Sequence, residues 1–148
     1  MALVLALLAR TSLLAVLGSH SLSAAVAAMA AAQVVSRFWP LCLIRALPHV
    51  GDAARSKSKS LAEQISRCAL CVGGLWCVLP LALYALDQSP QALGLALLAS
   101  ALAALWMARW FARRLQGFTG DCLGATQQLS EIAFYLGAAV VVLRSTGG

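Results

Sequence analysis

Long apolar stretches dominate this sequence and restrict the folds available to it. They run over residues 1–18, 22–47, 68–86, 91–107 and 129–143, and most are long enough to cross a bilayer as a helix. Lipid offers no partner for the open edge of a sheet, so helices are the expected form. The sequence therefore predicts an all-α fold, a polytopic membrane bundle of about five transmembrane helices that forms a single membrane domain.

The composition excludes an ordinary soluble domain. Hydrophobic residues make up 61% of the 148 positions and charged residues 11%, whereas a soluble domain is about half apolar and a quarter charged. This apolar surface exceeds what a compact globule of the same length can bury. We therefore expect a lipid bilayer to cover the excess.

Basic residues are concentrated in two of the connections between these stretches. They are Arg55, Lys57, Lys59 and Arg67 in the first, and Arg109, Arg113 and Arg114 in the second. The short connections after the first and third stretches contain no Lys or Arg. The positive-inside tendency places both basic connections in the cytoplasm. The net charge of +6 then indicates orientation, and no nucleic-acid partner is expected.

The first apolar stretch differs from a secretory signal peptide. A signal peptide opens with basic residues, whereas the first basic residue here is Arg10, inside the apolar run. We therefore expect a retained span. A start at Met1 within a hydrophobic segment also suggests that other sequence normally precedes it.

The segment "GFTGDCLGATQQLSE" is the least apolar part of the second half. Its Asp121 is surrounded by Gly117, Gly120 and Gly124. Glycine lets the backbone approach a ligand, and the free N–H groups at a helix start attract phosphate. A carboxylate at that place repels a bare phosphate, but Mg²⁺ joins carboxylates to phosphate oxygens. The pattern indicates a site for Mg²⁺ and phosphate, with Asp121 as a metal ligand.

Polar residues continue along the predicted last helix. With about 100° per residue, Asp121, Gly124, Gln128 and Glu131 fall within a sector of about 80°. Polar groups inside a span are costly and tend to mark functional sites. The alternative is that Asp121 only caps the helix, while Gln128 and Glu131 hydrogen-bond to neighbouring helices.

The first basic connection adds a candidate phosphate contact. Arg55, Lys57 and Lys59 lie on the same predicted side of the membrane as Asp121, where they could hold a pyrophosphate. The alternative is a solvated loop whose charge only orients the chain.

The run "TGDCLGATQQLSE" closely resembles the C-terminal signature of adenosylcobinamide-GDP ribazoletransferases, the cobalamin synthases. "SRFWPLCLIRALPHVGDAARSKSKSLAEQIS" is similar to the central span and basic loop of that family, and the resemblance extends over the chain from about Leu3 onward. It implies a multi-pass enzyme of the bacterial inner membrane. Such an enzyme joins adenosylcobinamide-GDP to α-ribazole with Mg²⁺, giving adenosylcobalamin and GMP.

The resemblance also implies roles for individual residues. In a complete enzyme Asp121 would be a catalytic residue that supports the metal or positions the nucleophile, while an Asp-rich half would carry the main metal site. The substrate phosphates would contact Lys57, Lys59, Arg55, Gly120, Gly124 and Gln128. The family carries an Asp-rich segment of the type His-x-Asp-Gly-x-x-Asp-x-x-Asp-Gly in its first half, whereas this sequence has no acidic residue before Asp52. We therefore expect a truncated chain that is inactive alone. The partner expected for it is a missing N-terminal half or another cobalamin-assembly protein.

Two other functions are consistent with the same pattern. A small non-catalytic membrane protein, such as a transporter subunit or an assembly factor, could use the polar stripe for helix packing. A phosphotransferase with a lipid substrate uses similar metal and diphosphate chemistry, although the run around Asp121 argues against it.

Overall fold

The computed structural model describes residues 2–48 and 66–146 of the chain. Within these ranges the protein consists of five helices: α1 (Ala2–His20), α2 (Leu22–Ala46), α3 (Arg67–Asp87), α4 (Pro90–Arg114) and α5 (Gly120–Thr146). All five are long and apolar enough to cross a membrane. The predicted all-α, five-helix membrane bundle is confirmed.

The last two helices are longer than the apolar stretches that predict them. Helix α4 continues past Met107 to Arg114, and α5 begins at Gly120 instead of Leu129. A hydropathy pattern detects only the apolar part of a helix, whereas its backbone hydrogen bonds continue through polar turns. Arg113 and Arg114 in the last turn of α4 also suit the negative end of the helix dipole.

Serine side chains fix where three of the helices begin. Ser21, Ser66 and Ser89 precede α2, α3 and α4, and each hydroxyl oxygen accepts a hydrogen bond from the backbone N–H three residues later. Such caps satisfy one of the free N–H groups at a helix start. Pro90 then occupies the first turn of α4, where its missing N–H costs nothing.

Two hydrogen bonds show which helix termini lie together at each end of the bundle. At one end, the Ser23 hydroxyl donates to Asp87 Oδ1 over 3.0 Å, which joins the start of α2 to the end of α3. At the other end, the Phe118 N–H donates to the Pro48 carbonyl over 3.0 Å, which joins the chain after α2 to the segment before α5. The two short connections therefore share one end of the bundle, and Pro48 and Gly120 share the other.

Helix α5 packs against α1, α2 and α4, while α3 packs mainly on α2. Small side chains of α4 recur at four-residue spacing and are buried, namely Ala92, Ala96, Ser100 and Ala104. Small residues let membrane helices approach closely. At Gly137 of α5, an added Cβ would lie only 2.7 Å from the Ala96 Cα of α4.

The outer surface of the bundle suits contact with lipid. Leu3, Leu75 and Trp76 are exposed to 72%, 71% and 69%, respectively. Inside the bundle, Trp39 Nε1 donates to Ser100 Oγ over 2.9 Å and links α2 to α4. Pro40 lies inside α2, and the helix continues past it to Ala46.

Candidate functional site

Asp121 lies in the first turn of α5, which begins at Gly120. Its side chain is exposed, and it forms no hydrogen bond or ion pair with any residue that the structure describes. Thr119 precedes the helix, and its carbonyl accepts from the Leu123 N–H over 3.3 Å. Asp121 therefore does not act as a hydrogen-bonding cap, and its carboxylate is available to a ligand.

The residues that follow Asp121 along the same face are also open. Gly120, Gly124 and Gln128 are exposed, and an added Cβ at either glycine would meet nothing within 4 Å. With about 100° per residue, these residues and Asp121 occupy a sector of about 100°. The structure thus brings four of the predicted site residues together on one exposed face of α5. We call Gly120, Asp121, Gly124 and Gln128 the α5 face.

The predicted phosphate contacts Arg55, Lys57 and Lys59 lie outside the described residues. The structure does show where the chain enters that segment. The hydrogen bond between Phe118 and Pro48 brings Pro48, the last described residue before that segment, beside the residues that lead into α5.

Glu131 departs from the stripe predicted from helical spacing. Its side chain is only 1% exposed, in contrast to the exposed Asp121 and Gln128. The difference arises because α1 and α2 cover α5 at this level. Its carboxylate belongs to the interior of the bundle, where it hydrogen-bonds to neighbouring helices as the alternative interpretation expects.

Donors from three helices converge on the Glu131 Oε1 atom. Arg10 of α1 pairs with it through Nη2, Gln33 Nε2 of α2 donates over 2.9 Å, and the Tyr135 hydroxyl donates over 3.0 Å from the next turn of α5. A buried carboxylate needs such partners to remain charged. This cluster of Arg10, Gln33, Glu131 and Tyr135, which we call the buried quartet, fixes α1 and α2 against α5.

The sequence pattern alone did not connect Arg10 and Gln33 with Glu131. A signal was present, because ionisable and amide side chains are rare inside membrane spans and usually face one another. Arg10 and Gln33 each interrupt an otherwise apolar run, and Glu131 is the last residue of the polar segment at the start of α5. Their pairing across α1, α2 and α5 follows only from the packing of the helices.

No group of three or more His, Cys, Asp or Glu side chains lies within reach of one metal ion in residues 2–48 and 66–146. Asp121 alone offers one carboxylate at the start of α5. Mg²⁺ is commonly bound by one or two carboxylates together with substrate phosphates and water. The exposed, unpaired Asp121 fits that arrangement as one ligand of a larger set.

A family model and two close relatives match most of this chain. A family model described as cobalamin-5-phosphate synthase matches residues 1–139. A protein of Albidiferax ferrireducens named adenosylcobinamide-GDP ribazoletransferase is 56% identical, and the match covers 94% of this chain and 55% of that protein. A Polaromonas protein of the same name is 54% identical over 95% of this chain and 54% of its own length.

More distant relatives carry the same name. The Vibrio cholerae protein is 43% identical over 71% of this chain and 39% of its own length. The chain thus spans about half the length of the first curated relatives it matches. No solved structure matches it significantly.

Proposed function

Because this chain belongs to the cobalamin-5-phosphate synthase family, we propose that it forms part of an adenosylcobinamide-GDP ribazoletransferase. The proposed reaction joins adenosylcobinamide-GDP to α-ribazole and gives adenosylcobalamin and GMP. The observation that carries the proposal is the 56% identity over 94% of the chain to a protein of that name. The exposed α5 face supports it, because it leaves Asp121 available to substrate and metal.

The reaction is a phosphoryl-type transfer. The ribazole hydroxyl attacks the phosphorus attached to the cobinamide, the bond from that phosphorus to the GMP oxygen breaks, and GMP leaves. Catalysis of this type depends mainly on positioning and on neutralisation of charge. Free N–H groups at the start of α5 can bind a phosphate oxygen, and Gly120 and Gly124 leave room for it to approach.

We assign the role of metal ligand to Asp121, with Mg²⁺ as the expected cofactor. Bound Mg²⁺ neutralises charge on the diphosphate. In this proposal Arg55, Lys57 and Lys59 contact the same phosphates from the basic connection. In this proposal the remaining metal ligands come from the Asp-rich segment that the family carries in its first half, which has no counterpart in this sequence before Asp52. The chain then acts together with an Asp-rich partner segment.

We place the protein in the bacterial inner membrane, with both basic connections in the cytoplasm. In a cysteine-free background, Ser19→Cys and Gln88→Cys should react with an impermeant thiol reagent in intact cells. Lys57→Cys should react only after lysis, because the basic connections stay inside. Both short connections lie at one end of the bundle, so Ser19 and Gln88 should behave alike. Labelling of Lys57→Cys in intact cells would show that the proposed orientation is wrong.

Asp121→Asn tests whether the site requires the negative charge of Asp121. The assay uses this chain together with the N-terminal half of a relative, either fused or co-expressed. We expect GMP release to fall by at least about tenfold, because a neutral amide is a poorer Mg²⁺ partner beside phosphate. Membrane expression and melting should stay close to those of the parent, since Asp121 has no hydrogen-bond partner among the described residues.

Asp87→Asn is the matched control, because Asp87 is also exposed but lies at the opposite end of the bundle. It should retain the parental rate. The chain without its partner half should release no GMP. Full activity of Asp121→Asn would refute the metal-ligand role, and absence of transfer in the combined protein would favour the non-catalytic alternative.

A further inference from the structure

Two arginines lie more than two turns from either end of helices that are long and apolar enough to span the membrane. They are Arg10 in α1 and Arg37 in α2. The Arg10 side chain is 20% exposed, and Arg37 is exposed. A charged side chain at this depth is costly unless it faces a polar cavity or an oppositely charged partner.

Both guanidinium groups keep donors that the described residues do not use. Arg10 contacts the Glu131 carboxylate and lies beside the Tyr135 hydroxyl, and a guanidinium carries more N–H donors than these partners need. Arg37 forms no hydrogen bond or ion pair with any residue in 2–48 or 66–146. An anionic ligand would satisfy the remaining donors of both.

Gln33 is the common neighbour of the two arginines. Its amide donates to Glu131 Oε1, the same atom that pairs with Arg10. Arg37 lies four residues after Gln33 on α2, and residues at that spacing share a helix face with Cβ atoms about 6 Å apart. Gln33 thus connects the Arg10–Glu131 pair to the face of α2 that carries the exposed Arg37.

The charges of this region favour an anion. Glu131 neutralises Arg10 from the buried side, which leaves Arg37 as an uncompensated positive charge among the described residues. Guanidinium groups bind phosphate through paired N–H donors. Ala46 lies at the end of the bundle where α5 begins. Arg37 lies about 13 Å along α2 from Ala46.

We propose that Arg10 and Arg37 bind the phosphate groups of a nucleoside diphosphate within the membrane region, and that Glu131 positions Arg10 for this contact. The choice of a nucleoside diphosphate rests on the proposed function. The phosphate contact itself rests on the two arginines and the buried quartet. It adds a phosphate site in the spans to the basic connection at residues 55–59.

The test measures binding of GDP to the full 148-residue chain in phosphatidylcholine nanodiscs by calorimetry. The parent should bind GDP saturably, and Arg37→Gln should weaken binding by at least about tenfold, since hydrogen bonds to charged groups are strong. Arg37 has no partner among the described residues, so this variant should fold normally. Arg144→Gln, at the opposite end of the bundle, should bind like the parent. Absence of saturable binding, or an equal effect of both variants, would overturn the proposal.

A paired variant tests Arg10 without leaving a lone buried charge. Arg10→Gln combined with Glu131→Gln keeps two neutral hydrogen-bonding groups, and it should also bind GDP at least about tenfold more weakly than the parent. Binding equal to that of the parent would remove Arg10 from the site and overturn the proposal.

Two further measurements separate the possible sources of phosphate. If Lys57→Gln and Lys59→Gln abolish GDP binding while Arg37→Gln does not, the basic connection is the site, and the proposed transferase function survives without this inference. If phosphatidylglycerol in the nanodiscs abolishes GDP binding to the parent, the arginines hold a lipid headgroup and the nucleotide assignment is wrong. If phosphatidylglycerol leaves GDP binding unchanged, the result supports a nucleotide as the ligand of the two arginines.

Discussion

Arg10→Ala is expected to destabilise the folded chain by roughly 3–5 kcal/mol, because removing one partner leaves a buried charge uncompensated. Glu131 is only 1% exposed. Without Arg10 its carboxylate keeps only the amide of Gln33 and the hydroxyl of Tyr135. The expected result is a large fall in the melting temperature in detergent. A thiol-reactive dye can report unfolding through the buried Cys77 and Cys122, once the partly buried Cys42 and the exposed Cys68 and Cys71 are replaced.

A double variant separates the loss of the pair from the burial of one lone charge. Arg10→Leu with Glu131→Leu removes both charges, and replacement of a buried ion pair by apolar groups is often nearly neutral. It should therefore melt much closer to the parent than Arg10→Ala does. Arg144→Ala, at an exposed arginine of α5, controls for the loss of a positive charge. If Arg10→Ala melts like that control, the buried quartet does not hold the helices together.

Much of the fold could be predicted because lipid imposes a simple rule on the sequence. A span must be apolar for nearly its whole length, so five apolar runs predict five helices at nearly the right positions. The rule fails at polar ends, as at Gly120, where α5 begins nine residues before its predicted apolar part. There the helix is formed by backbone hydrogen bonds that hydropathy does not register.

The candidate site was predictable only where it is local in the chain. Asp121, Gly124 and Gln128 share one helix face, and helical spacing alone brings them together. The partners of Glu131 are a different case. Arg10 and Gln33 are 121 and 98 positions away from it, and no local pattern specifies which helix covers which turn of α5. The catalytic and metal-binding roles of Asp121 stay predictions.

Gly137→Leu is expected to disrupt the contact between α4 and α5. An added Cβ would lie 2.7 Å from both the Ala96 Cα and the Leu95 carbonyl oxygen, and 2.9 Å from the Ala96 nitrogen. These are backbone atoms, so no change of side-chain rotamer relieves the overlap and the two helices must move apart. We expect a loss of about 3 kcal/mol or more, at the upper end for overpacking. The dye-based melting assay measures it.

Gly94→Leu provides the matched control, because Gly94 lies on α4 and an added Cβ there meets nothing within 4 Å. It makes the same change of size on an exposed helix surface and should melt within a few degrees of the parent. Gly137→Ala adds only the Cβ itself and should already lose much of the stability, since the overlap begins at that atom. Parental melting of Gly137→Ala would show that α4 and α5 are farther apart than the structure places them, and that small residues do not set their separation.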